Sequence, residues 1–236
     1  MTDEDWEWLR HIKTEEEWCS CDSPQPLLIY LKRKASNRKF RLYAVACARL
    51  IWSHLLHRES QLAIETAERF ADGQADEEDR ETCEKAADDA VERIADDEAG
   101  DTAYHAALSA VWCARSFSPD DPYETGHAAF YAASTLDTRK PFVAILHCVF
   151  GNPFRPRARL PRTVRAWNDG TIPKLAQGIY DERIMPNGEL EVAHLGVLAD
   201  ALDDAGCTDA DILGHLRGPG PHVRGCWVLD LILGKG

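Results

Sequence analysis

The sequence predicts an all-α protein, an irregular multi-helix bundle with an alanine-rich middle and a C-terminal helical hairpin. Three observations point there. Apolar residues recur at three- and four-residue steps through most of the chain. The breaks between these patterns carry the Gly, Pro, Ser and Asn residues that cap and stop helices. Strand signals are confined to two apolar runs, Phe142 to Phe150 and Val228 to Leu233. A hydrophobic content of 44% over 236 residues is enough to build a core.

Taken in order, Trp6, Leu9, Ile12 and Lys13 have the spacing of a short amphipathic helix, which ends near the Cys19-Ser20-Cys21 triplet. Those two cysteines suit a metal or redox pair, or else a loop that tucks one thiol into the core. Pro24 and Pro26 fit the first turn of a helix bearing Leu27, Leu28, Tyr30 and Leu31. Ser36 or Asn37 then caps a longer helix. On it Phe40, Tyr43, Ala44, Cys47, Leu50, Ile51, His54 and Leu55 form a buried stripe.

Three alanine-rich patterns follow. Leu62, Ile64, Ala67 and Phe70 form one face, closed by Asp72-Gly73. Ala87, Ala90, Val91, Ile94 and Ala95 form the next, and Ala103, Ala106, Ala107, Ala110, Val111 and Ala114 the third. Small residues allow close helix approach but bury little area each, so larger neighbours such as Tyr104, Trp112, Phe117, Phe130 and Tyr131 must fill the gaps. His105 and His127 sit in these patterns as boundary residues, and no catalytic role is assigned to them.

Composition changes after His147, which divides the chain into a helical part with an acidic middle, 1–148, and a linker with further helices, 149–236, either a separate unit or packed as one domain with the first. Gly151-Asn152-Pro153-Phe154-Arg155-Pro156 opens the linker, and Arg155, Arg157, Arg159, Arg162 and Arg165 follow without an acid among them. Helices are expected over Thr171 to Arg183, with Pro173 in the first turn, and over Val192 to Ala205.

The C-terminal hairpin carries the candidate chemistry. Cys207, His215, His222 and Cys226 fall around the turn Gly218-Pro219-Gly220-Pro221. Thr208 and Asp211 resemble a capping box, which starts a helix near Asp209, and a second helix starting near His222 would set His222 and Cys226 on one face. Two thiolates and two imidazoles match the tetrahedral preference of zinc. The spacing lacks a CxxC knuckle, so a structural zinc stands beside plain core packing of these residues.

The formal charge is −13. Residues 58–101 hold seventeen acids against five basic residues, a net of −12, so the rest of the chain is nearly neutral. Lys32, Arg33, Lys34, Arg38, Lys39 and Arg41 cluster at the start of one helix. They and the arginine stretch are expected either to lie against the acidic segment or to grip nucleic acid. No run of about twenty apolar residues suggests a membrane helix, and the acidic N-terminus is unlike a signal peptide. With eight cysteines read as reduced thiols, the expected location is cytoplasmic and the expected partner another protein, with no membrane.

The segments A-S-N-R-K-F-R-L-Y-A-V-A-C-A-R-L-I-W from Ala35, G-N-P-F-R-P from Gly151, L-A-Q-G-I-Y-D-E-R from Leu175, and G-P-G-P-H-V-R-G-C-W from Gly218 resemble those of an uncharacterised, highly paralogous bacterial family. The resemblance covers most of the chain and implies no activity. The family pattern has a further cysteine after the first C-terminal histidine, where this chain has Leu216. No P-loop, dinucleotide fingerprint, nucleophile elbow or H-E-x-x-H is present. The leading expectation is therefore a non-catalytic helical interaction or regulatory module, stabilised by a structural zinc. A nucleic-acid-associated protein using residues 32–41 and 155–165 is the second reading, and a metal-dependent hydrolase or redox protein the third.

Overall fold

The computed structural model describes residues 12–96, 100–115 and 139–235, with a few positions between 127 and 136. The described residues are helical apart from one two-stranded hairpin, so the all-α expectation holds. Both apolar runs weighed as strands are helical. Trp6, Leu9, Phe117 and Phe130 lie outside the described residues. The chain forms two compact units, Met1–Val143 and Ala144–Gly236.

The first unit begins with α1 (Glu15–Ser20), which Thr14 and Glu17 close in a reciprocal capping box. Pro24 occupies the first position of α2 (Pro24–Leu31), as its fixed φ allows. The Ser36 hydroxyl accepts from the Lys39 N–H and caps α3 (Asn37–Leu50), a cap that contributes about 1 kcal/mol. Helix α3 is buried almost all round, from Phe40 to Arg49, rather than along one stripe. Its environment explains this, since it packs on both α4 (Arg58–Ala71) and α6 (Asp101–Ala114). Helix α5 (Glu77–Asp96) completes the group by packing on α4 and α6.

The alanine series does what its small size permits. Ala63, Ala87, Ala103, Ala107 and Ala114 form one cluster with Val91, Ile94 and Val111, and Tyr104 and Leu108 cover its edge. Ile94 is the bulkiest aliphatic group in it and contributes about 2 kcal/mol on burial, several times what each alanine methyl can.

Buried arginines tie the helices together. Arg41 donates through Nη1 to the carbonyls of Cys113, at 2.7 Å, and Arg115, at 2.9 Å. These are acceptors that the end of α6 leaves without helical partners. Burial is the main cause that lowers the Arg41 guanidinium to about 10, and Arg80 nearby adds to it. Arg49 and Glu68 form a buried pair at 2.8 Å between α3 and α4. Arg38 meets Asp72 at 2.8 Å, so the basic start of α3 does reach one residue of the acidic segment.

In the second unit, α7 (Lys140–Phe150) contributes its residues from Ala144 onward. A short turn of helix, α8 (Arg162–Arg165), follows the linker. Helix α9 (Trp167–Asp181) holds three left-handed residues, Asn168, Asp169 and Gly170, so its regular part starts at Thr171, as Pro173 requires. Strands β1 (Arg183–Ile184) and β2 (Glu189–Leu190) pair antiparallel, Arg183 opposite Leu190. Helix α10 (Val192–Asp204) packs on α9 and on α11 (Ala210–Leu216), and α12 (Trp227–Leu233) packs on α9.

Candidate metal centre

Two local features of the C-terminal hairpin differ from expectation. Asp209, not Thr208, caps α11: its carboxylate accepts from the N–H groups of Asp211 and Ile212. An ionised Asp at the cap is a better acceptor for two orphan N–H groups than the Thr208 hydroxyl. Helix α12 starts at Trp227, so His222 precedes it in a loop and does not share a helical face with Cys226. The segment Gly218-Pro219-Gly220-Pro221 leaves no N–H at two of its four positions, and a helix cannot be started across it.

The loop nevertheless brings the side chains together. His215 lies in the last turn of α11, and the chain then reverses so that the His215 and His222 rings meet edge to face, with centroids 4.8 Å apart. The His222 carbonyl accepts from the Leu190 N–H at 2.8 Å, and Glu189 bridges to Val223. The β-hairpin thus fixes the backbone that carries His222. Cys226 N–H bonds to the Val223 carbonyl at 3.0 Å, a turn that sets the thiol at the head of α12.

Among the described residues, the group of His, Cys, Asp or Glu side chains close enough to hold a metal ion is Cys148, His215, His222 and Cys226. Their donor atoms all lie within 4.8 Å of one another. His215 Nε2 is 3.2 Å from Cys226 Sγ, and His222 Nδ1 is 4.0 Å from Cys148 Sγ. A zinc tetrahedron with Zn–S near 2.3 Å and Zn–N near 2.0 Å has edges of roughly 3.3 to 3.8 Å, so both contacts fit with small adjustments. Cys148, His222 and Cys226 are buried and His215 is half-buried.

Outer contacts orient the imidazoles. His222 Nε2 lies 3.2 Å from the Gly218 carbonyl, so it carries the proton and donates there, which leaves Nδ1 as the free donor atom facing Cys148. The His215 ring rests on Trp227, with centroids 5.4 Å apart. Trp227 in turn covers Gly151, where a Cβ would come within 3.2 Å of the indole. Gly220 has φ +85°, and a Cβ there would lie 3.0 Å from the His222 nitrogen and 3.2 Å from its Cδ2. Only glycine suits that position on both counts.

The electrostatics favour a ligand state. Burial raises the Cys226 thiol, but hydrogen bonds with Cys148, His215 and His222 and the charge of His215 outweigh it, holding Cys226 well below its ordinary value. Burial lowers His222, while the Cys226 sulfur and the Gly218 carbonyl raise it above its ordinary value. A thiolate stabilised by imidazole protons is the form a metal cation would replace.

Three of the four residues expected at this site, His215, His222 and Cys226, are therefore brought together, and Cys207 is not part of the group. Cys207 is buried in the turn after α10, where its N–H closes on the Leu202 carbonyl at 2.9 Å. The fourth thiol is Cys148, which sequence reasoning missed. It sits on α7 next to the apolar stripe Phe142, Ile145, Leu146 and Val149, three residues before Gly151-Asn152-Pro153. Leu216, beside His215, is fully buried.

The other candidates take structural places. Cys19 is exposed, while Cys21 is buried and donates to the Ser23 carbonyl at 3.2 Å, so the CxC pair is split between solvent and core. His127 packs edge-on against Trp112 at 4.5 Å, and His105 lies 5.8 Å from the Tyr131 ring. No helix among the described residues is long and apolar enough to cross a membrane. No protein-family model matches the chain, and neither curated proteins nor solved structures show a match to it.

Proposed function

We propose that the chain is a non-catalytic helical interaction module whose C-terminal part is closed by one structural zinc ion held by Cys148, His215, His222 and Cys226. The observation that carries this reading is the convergence of two thiols and two imidazoles, three of them buried, from α7, α11 and the loop before α12. Four protein donors fill a tetrahedral zinc shell and leave no position for water or substrate, which is the arrangement of a structural site. The soft, mixed sulfur and nitrogen donor set favours zinc over magnesium, calcium or manganese.

The interaction part of the reading is supported by Ile184 and Met185 on the hairpin and by Val192 and Val197 on α10. All four are large apolar side chains left between 43% and 56% exposed. A metal that fixes the hairpin through His222 would hold the first two in place. Arg38 and Arg41 are committed to Asp72 and to the end of α6, which removes two of the six basic residues that the nucleic-acid reading places at 32–41.

The test is elemental analysis of the purified chain with thermal melts of the native protein and of His222→Ala. The expected result is one zinc per chain, lost in the variant together with a fall in melting temperature. A chain that contains no metal after preparation in zinc, or that melts identically with and without a strong chelator, refutes the proposal.

A further inference from the structure

The linker of the second unit carries a feature that the metal site does not use. From Gly151 to Trp167 the chain has five arginines and no acid. Residues 156–161 form no helix, strand or turn, and from Arg157 onward burial alternates: Arg157 and Arg159 are exposed, Ala158 is half-buried, Leu160 is buried and Pro161 is exposed. That two-residue period belongs to extended backbone. Both ends are tied down. Arg155 pairs with Asp211, and Arg165 Nη2 donates to the Leu231 carbonyl at 2.7 Å. Among the described residues, the side chains of Arg157, Arg159 and Arg162 meet no partner, and neither do the backbone N–H groups of Arg157, Ala158 and Arg159.

We infer that this strip is a docking site for an acidic peptide segment, which lies extended along residues 157–160 and sets alternate carboxylates against Arg157 and Arg159. Alternate side chains on extended chains are about 6.7 Å apart, so acids at every second position of the incoming strand match the two guanidinium groups in register. Each guanidinium can take a carboxylate through two parallel N–H donors. The unpaired backbone supplies the main-chain bonds of strand addition. Arginines and the flanking Pro156 and Pro161 at the same time disfavour pairing with neutral or basic strands, including a second copy of this strip. A nucleic acid strand is the poorer match, because it has no amide backbone with which to complete the main-chain bonds of strand addition along Arg157 to Arg159.

This inference rests on the reading of the chain as an interaction module, not on the metal, and its test separates the two. Fluorescence anisotropy would follow binding of a labelled peptide of alternating Glu and Thr to the full zinc-loaded chain. The comparisons are a peptide of the same composition in Glu-Glu-Thr-Thr repeats, which sets no two glutamates two residues apart, the alternating peptide methylated on alternate backbone nitrogens, and single-stranded oligothymidine. The alternating peptide should bind best. Backbone methylation, or the double substitution Arg157→Gln with Arg159→Gln, should each weaken it about tenfold, with zinc content and melting temperature unchanged. Equal binding of the Glu-Glu-Thr-Thr peptide, an unaffected double variant, tighter binding of oligothymidine, or no peptide binding at low salt would each overturn the inference. Failure here with one zinc per chain retained leaves the metal reading standing, and peptide binding by a zinc-free chain does the reverse.

Discussion

Cys47 and Cys113 in the first unit are fully buried among helices α3 and α6, where burial pushes Cys47 well above its ordinary value and Cys113 up to about 12. Cys148 and Cys226 in the second unit are as deeply buried, yet Cys226 is driven the other way because His215, His222 and Cys148 face it. Burial alone does not decide what a cysteine does. The groups around it decide whether the sulfur is a small apolar filler or a ligand.

The comparison is broken or upheld most directly by removing the metal. Structural zinc contributes on the order of 10 kcal/mol to small zinc-dependent folds, more than most single contacts can offset. Amide exchange measured in a strong chelator should therefore show loss of protection in α11, α12 and the β-hairpin, while α3 to α6 stay protected. If both units lose protection together, or neither does, the two have been wrongly distinguished.

Single ligands come next in size. Cys148→Ser should abolish stoichiometric zinc. Cys207→Ala should keep it and lower stability by only about 1 kcal/mol, the loss of one small buried group. Zinc measured in these two variants distinguishes the observed ligand set from the one that the C-terminal spacing suggested. If Cys207→Ala loses zinc and Cys148→Ser does not, the assignment is reversed.

That contrast also shows what was legible in the sequence. The helical periods of α2 to α6 and α10, and the break before Thr171, follow from local steric and apolar patterning, and local signals suffice to find them. His215, His222 and Cys226 were visible because one turn had to bring them close. Cys148 is 74 residues from His222, and that pairing is set by how α7 packs, for which no local period exists. The cap at Asp209 and the loop start of α12 were misplaced for a smaller reason, because neighbouring polar residues compete for the same cap and two prolines hold His222 outside the helix.

A pH series sharpens the comparison through the thiols. In the first unit Tyr43, Cys47 and Cys113 have folded values above their unfolded ones. Their contribution is complete below the unfolded thiol value of 9.0 and is lost as pH rises toward about 12. In the second unit the Cys226 value is depressed, so its contribution is present above 9.0 and lost as pH falls through the folded value, with release of metal. Melts followed with zinc release should show alkaline loss of the first unit, by a few kcal/mol, and acid loss of the second. The same pH dependence in both units would remove the distinction.

The smallest expected effects come from two glycines in left-handed conformation. Gly73, after α4, has φ +69° and nothing within 4 Å of an added Cβ, so Gly73→Ala carries backbone strain alone, about 1 kcal/mol, with zinc unaffected. Gly220 has φ +85°, and its added Cβ would meet both the nitrogen and the ring of His222. Gly220→Ala therefore adds to similar strain a displacement of the imidazole, whose Nε2 must keep its bond to Gly218 for Nδ1 to face Cys148. Displacing a ligand from its outer contact typically weakens metal binding about tenfold or more. Zinc competition with a coloured chelator, run on the two variants beside melting curves, should show comparable loss of stability at saturating zinc but weakened affinity in Gly220→Ala alone. Equal affinity in both would mean that the ring is not held by that turn, and the role of Gly220 would reduce to its backbone angle.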